Sequence, residues 1–227
     1  MMKRLISIVI LVCCSFAAYS NSLTVLTYHD VVTDVGQDSY AVSRSEFVAQ
    51  MDYLKENGYH PISLAQLQKV YQNKEKFPAK ALLLTFDDGL KSYAEFIAPL
   101  LNIYQYPSVL SVVTGWLDGK NIPAEYQNKI MTWQQAKTLS QSNLVELVSH
   151  THSLHRGLPS NGFGNERPAA VTRQFFPFNQ SYESVSEYRQ RIKYDLGVSV
   201  LRLVKEIGKA PIAITWPFGR FNRIAAE

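Results

Sequence analysis

Cysteine is almost missing from this chain of 227 residues: there are two, Cys13 and Cys14, both near the N-terminus. A disulfide scaffold is therefore excluded for the rest of the chain, which must hold together by an apolar core. Strong charge is missing too. Charged residues make up 19% and the formal net charge is +4, which becomes +2 without Lys3 and Arg4. That is too mild a balance for a nucleic-acid binder, and no basic run interleaved with aromatics occurs. Internal repeats and low-complexity tracts are absent as well.

What is present begins with Lys3 and Arg4, an apolar stretch from Leu5 to Phe16, and then the small residues Ala17, Ala18 and Ser20. This pattern predicts a signal peptide over residues 1–20, cleaved before Asn21. It is too short and wrongly flanked for a membrane span. Lipidation at Cys13 or Cys14 is the alternative fate, disfavoured because the preceding residues, Val12 and Cys13, are not the small ones such sites prefer. The mature chain then has no cysteine, which suits a periplasm or the cell exterior. About 207 residues remain, enough for one α/β domain with a sizeable core.

Strand and helix signals alternate along those residues. Leu23 to Thr27 reads as a strand, and Ser43-Arg44-Ser45-Glu46 is a capping box opening a helix that Gly58 closes, with Phe47, Met51 and Leu54 inward. Ser63 caps a second helix carrying Leu64, Leu67 and Val70; His60, just before it, is a surface or packing residue. A helix is predicted from Tyr93 to Tyr104 despite Pro99, a strand from Pro107 to Val113, a loop from Thr114 to Lys129, and a helix from Trp133 to Ser140 capped by Thr132. Arg156 to Gln180 is a long irregular stretch, expected to form a lid or wall near a cleft because loops of this length are usually functional. Ser184 and Glu187 box a helix that runs to Ile207 and is closed by Gly208, and Ile212 to Trp216 is the next strand. The alternation is that of a barrel or a doubly wound sheet.

Two of these strands end in chemistry. The run Ala81-Leu82-Leu83-Leu84-Thr85-Phe86 stops at Asp87-Asp88-Gly89, and ligands in α/β folds gather at such C-terminal strand ends. Alternation along a strand would send the two carboxylates to opposite sides, so they are expected to do different jobs. The run from Val145 to Ser149 likewise ends in His150-Thr151-His152-Ser153-Leu154-His155, which holds three of the five histidines. Neutral imidazole beside carboxylate is a normal ligand set for a divalent metal.

Thr85-Phe86-Asp87-Asp88-Gly89 followed by Ser149-His150-Thr151 resembles the polysaccharide deacetylase family. Tyr28-His29-Asp30 and Trp216-Pro217-Phe218-Gly219 resemble it too, in particular the branch acting on poly-β-1,6-N-acetylglucosamine during biofilm export. The resemblance implies a distorted (β/α) barrel of about seven strands over residues 21–227. It implies Asp87 as general base and Asp88, His150 and a second histidine as ligands of one divalent ion, with zinc foremost and cobalt, nickel or iron as substitutes. The usual spacing of three residues between the histidines is broken here by Leu154, so the second ligand is expected at His155, as in the biofilm branch, with His152 as its competitor.

The resemblance further implies that His29, Asp30, Trp216 and Phe218 meet substrate, the Phe218 N–H supporting an oxyanion because Pro217 has none. Tyr28 and Trp116 are weaker candidates for stacking on sugar rings. The implied partners are an N-acetylglucosamine polymer and an outer-membrane export porin. The catalytic acid histidine of the family is not found up to Glu227, so a continuation past that residue is expected. A peptidoglycan or chitin deacetylase and a non-catalytic glycan-binding scaffold are the rival readings.

Overall fold

The computed structural model describes residues 22–227 and the backbone of Tyr19 and Ser20. Cys13, Cys14 and nearly all of the expected signal peptide lie outside the described residues. In chain order the elements that position the site are β1 (Leu23–Tyr28), α1 (Arg44–Glu56), α2 (Leu64–Tyr71), β2 (Ala81–Phe86), α3 (Ala98–Tyr104), β3 (Ser108–Val112), α4 (Trp133–Leu139), β4 (Val145–Ser149) and α5 (Val185–Ile207). Four helices start where the sequence puts a cap. Ser43 with Glu46, Ser63 with Gln66, Thr132 with Gln135 and Ser184 with Glu187 each form a closed capping box, satisfying amides that the first turn leaves unpaired. The helix from Tyr93 accommodates Pro99 by opening with a π turn, Tyr93–Ile97, so that the proline falls in the first turn of α3, where its missing N–H removes no bond.

All four strands are parallel, in the spatial order β1-β2-β3-β4, and the two-residue strand His60–Pro61 also pairs with the start of β2. Each new strand is added on the same side of the last. A doubly wound sheet reverses its order at a switch point and this one does not, so the topology is that of a (β/α) barrel wall. All six residues of β2 are buried, as expected for a parallel strand covered on both faces. One face packs Leu82, Leu84 and Phe86 against Phe47 and Met51 of α1 and Tyr93 and Ile97 of the π turn. Among the described residues no helix is long and apolar enough to cross a membrane.

Three expectations are corrected. Ile212 to Trp216 does not form a strand: it touches β4 only through a bridge at Ser149 and Ile214, with Ser149 N–H to Ala213 O at 3.4 Å and Thr215 N–H to Ser149 O at 3.0 Å. The ladder stops because the chain after Ser149 turns away, with Thr151 at φ 72°. The stretch from Arg156 onward is not irregular, and it reaches the cavity wall at Arg156. It folds into two small hairpins, Gly157–Pro159 with Glu166–Pro168 and Phe175–Phe176 with Ser181–Tyr182, and Leu158, Ala169 and Ala170 pack on Tyr188 and Ile192 of α5. The loop from Thr114 contains a one-turn helix, Thr114–Leu117, and a 3-10 turn, Ala124–Tyr126.

Candidate active site

The ends of β2 and β4 open into a cavity of about 870 Å³ whose lining includes His29, Asp87, Asp88, Tyr126, His150, His155, Arg156, Trp216 and Phe218. Asp87 and Asp88 both line it, contrary to the alternation expected of a strand. The reason is local: β2 ends at Phe86 and Asp88 adopts a left-handed conformation, φ 74°, so the chain is no longer extended where the second carboxylate leaves it.

Asp88 is fully buried, as is His150, and His155 is partly so. One ligand atom from each of the three comes within 4.8 Å of the others. His150 Nε2 is 3.6 Å and His155 Nε2 3.2 Å from Asp88 Oδ1. Neither approach has hydrogen-bond geometry, so both Asp88 oxygens, together with Asp87 Oδ1, are buried without a hydrogen-bond partner among the described residues. His152, the competitor, is absent from this group, its Nδ1 lying 3.0 Å from Thr114 Oγ1.

The tautomer of His150 follows from its partners. Nδ1 is 3.0 Å from the Thr215 carbonyl oxygen and 2.7 Å from Thr215 Oγ1. A carbonyl can only accept, so Nδ1 carries the proton and Nε2 turns a lone pair toward Asp88. Burial lowers the His150 pKa, outweighing the opposing pull of Asp87 and Asp88, so the ring is neutral at pH 7. Burial works to raise the Asp88 pKa, but the contact and charge of His155, then the charges of His150 and His29, bring it below its ordinary value. Burial, then the negative charges of Asp88, Asp38 and Glu125, raises the Tyr126 phenol.

Buried carboxylate oxygens without donors and a neutral imidazole presenting a lone pair are what a divalent cation requires. The donor set fits one.

Phe218 has φ 58° and its ring lies 4.5 Å from that of His155, while His29 leans on Tyr40 with ring centroids 5.2 Å apart. Asp30 is not brought to the cavity: it is buried and ion-paired to Lys129 at 3.5 Å. Trp116 and Tyr28 are core, 3% and 8% exposed, so neither offers a face to a sugar. Thr215 and Tyr126 escaped sequence reading; Thr215 sits in an ordinary apolar run 65 residues from the ring it orients. A second cavity, about 660 Å³ between β1 and α1, is mostly apolar, and its one carboxylate, Glu46, is engaged in the α1 capping box.

Among known proteins, the poly-beta-1,6-N-acetyl-D-glucosamine N-deacetylase of Escherichia coli (strain K12) is 34% identical over 218 residues, covering 91% of this chain and 32% of its own length. The protein of the same name from Staphylococcus aureus (strain MSSA476) is 25% identical over 184 residues, covering 81% of this chain and 56% of its own length. The chain thus spans about a third of the first and just over half of the second. In three dimensions it is similar to a de-N-acetylase from Aggregatibacter actinomycetemcomitans, with TM-score 0.82, 35% identity and coverage of 89% of this chain and 82% of that one. It is similar also to the BpsB deacetylase domain from Bordetella bronchiseptica, with TM-score 0.77, 35% identity and the same coverages. The polysaccharide deacetylase family model matches residues 74–227. That span takes in the Asp87-Asp88 turn, the histidine loop and the Trp216–Gly219 turn, the three segments that converge on one cavity, and the chain belongs to the polysaccharide deacetylase family.

Proposed function

We propose that this chain is a metal-dependent N-deacetylase domain, exported to the periplasm, that removes acetyl groups from poly-β-1,6-N-acetylglucosamine. The observation that carries the reading is the cluster of Asp88, His150 and His155 inside a cavity that also presents Asp87, Trp216 and Phe218. The names of the relatives support the substrate; the export porin rests on resemblance alone.

Acetamide hydrolysis needs an activated water, a polarised carbonyl, support for the oxyanion and a proton for the departing amine, which the proton taken from the water can supply. Asp88, His150 and His155 would hold a divalent ion, zinc foremost, which supplies Lewis-acid polarisation of the carbonyl and a water of lowered pKa. Asp87 is the general base: it lines the same cavity and its Oδ1 has no other partner, so it is free to take the proton of the attacking water. The Phe218 N–H is the oxyanion donor contributed by the terminal turn. Trp216 and Phe218 offer ring surface to the apolar face of a pyranose, and His29 is a polar contact in the same cavity. Asp30, paired with Lys129 away from the cavity, takes no part in this reading.

The test is release of free amine from β-1,6-linked N-acetylglucosamine oligomers, beside chitin oligomers and peptidoglycan fragments, with chelator and with restored Zn²⁺, Co²⁺ or Ni²⁺. Metal-dependent release from the β-1,6 oligomer, lost in His155→Ala and kept in His152→Ala, is expected. Folded protein that binds no metal and releases nothing would overturn the enzyme reading in favour of a glycan-binding scaffold. Release only from the other two polymers would reassign the substrate.

A further inference from the structure

The two histidines of the cluster are five residues apart, and the loop between them has to double back to bring His155 beside His150. Within the loop the Leu154 N–H donates to Thr151 Oγ1 at 3.2 Å, and the amides between them are met from outside it. The largest share comes from Asp195, in the middle of α5 and 4% exposed. Asp195 Oδ1 accepts from the His152 N–H at 2.8 Å; Oδ2 accepts from the Ser153 N–H at 2.8 Å and from Ser153 Oγ at 2.6 Å. No cation is paired with this carboxylate among the described residues. A buried charge is expensive unless hydrogen-bonded, and here all three donors come from the histidine loop, so loop shape and carboxylate require each other.

The other side of the loop is held as firmly. Thr114 N–H donates to Thr151 O at 3.1 Å and Gly115 N–H to His152 O at 3.0 Å, an approach close enough that a Cβ on Gly115 would collide with that oxygen. One turn further along α5, Ser199 Oγ is 2.8 Å from Ser149 Oγ, which in turn accepts from the Thr151 N–H at 3.0 Å. The face of α5 carrying Asp195 and Ser199 is therefore the template against which the loop is formed.

We infer that Asp195 is a positioning residue for the metal centre, fixing the turn through His152 and Ser153 that sends His152 away from the cluster and delivers His155 to it. This rests on the metal-centre reading above. It predicts that Asp195→Asn, which keeps size but turns one acceptor into a donor facing the loop amides, weakens Zn²⁺ binding about tenfold, the lower end of the effect of outer-shell partners.

The experiment measures Zn²⁺ affinity by chelator competition, and the thermal midpoint of the metal-free protein, for the wild type, Asp195→Asn and Glu183→Gln. Glu183 is a buried carboxylate paired with Arg191 at 2.8 Å, against the hairpin insert, so its loss should lower the midpoint and leave Zn²⁺ affinity intact. Weaker Zn²⁺ binding in Asp195→Asn alone supports the inference. Unchanged affinity in Asp195→Asn, or equal weakening in Glu183→Gln, overturns it. If Asp195→Asn does not fold, Ser153→Ala removes one of the three bonds and must weaken Zn²⁺ binding by a smaller factor; unchanged affinity there also overturns the inference. A wild-type protein that binds no Zn²⁺ would instead refute the metal-centre reading itself.

Discussion

The ends of β2 and β4 meet in one cavity but are finished in opposite ways. After β4, the backbone amides from His150 to Leu154 are all taken: by Val112 O, Ser149 Oγ, the two Asp195 oxygens and Thr151 Oγ1 in turn. The His150 ring is fixed by Thr215. After β2 the reverse holds, with three carboxylate oxygens of Asp87 and Asp88 buried and lacking a hydrogen-bond partner. Buried polar groups are nearly always satisfied, so a deficit that, Ser111 Oγ on β3 apart, falls on the acidic side among the described residues is informative. The histidine side supplies fixed geometry and the acidic side supplies carboxylate oxygens without donors, and a cation held by Asp88, His150 and His155 would join the two.

The division can be broken most sharply at Asp87. Asp87→Asn should lower amine release about 10²–10⁴-fold, the usual share of a general base, while leaving Zn²⁺ affinity nearly unchanged. A parallel loss of metal would mean that Asp87 is a ligand and that the two carboxylates do not differ in role. On the histidine side, Thr215→Val keeps the carbonyl bond to His150 Nδ1 but removes the one from Oγ1. Zn²⁺ affinity measured by competition should fall about tenfold, and no fall would show that ring orientation comes from packing alone.

The smallest effect is one of pH on the metal-free protein. The folded pKa of His150 lies below its unfolded value, so between the two the unfolded chain binds the extra proton and stability falls as the pH drops below about 6.5. Asp88, also depressed in the fold, adds a second loss below about pH 3.9. Within the first window the change is about 1.4 kcal/mol per pH unit, roughly 2–4 °C in the midpoint for each kcal/mol. A thermal midpoint independent of pH from 7.5 to 5 would show that His150 is not held neutral by burial.

The sequence by itself determined whatever depends on near neighbours. The four capping boxes close over three residues; those of Ser43 with Glu46 and Ser184 with Glu187 were legible as boxes, and Ser63 and Thr132 as caps. The buried run of β2 was legible as an unbroken apolar segment, and the Asp87-Asp88-Gly89 and His150 motifs as polar residues placed abruptly at strand ends. Only the tertiary structure decided what depends on distant partners or on a single backbone angle. Asp195 meets the histidine loop from 42 and 43 residues away and Thr215 meets His150 from 65 away, and neither position looks unusual in its own segment. Asp87 and Asp88 share a cavity because Asp88 is left-handed, a conformation no strand pattern announces. Asp30, which stands next to His29 in the same motif, is drawn off by Lys129, 99 residues on. Caps and apolar periodicity are local energies and can be read from adjacent residues. The pairing of buried charge with its donors is set by which elements the packed core brings together, and adjacent residues carry no trace of it.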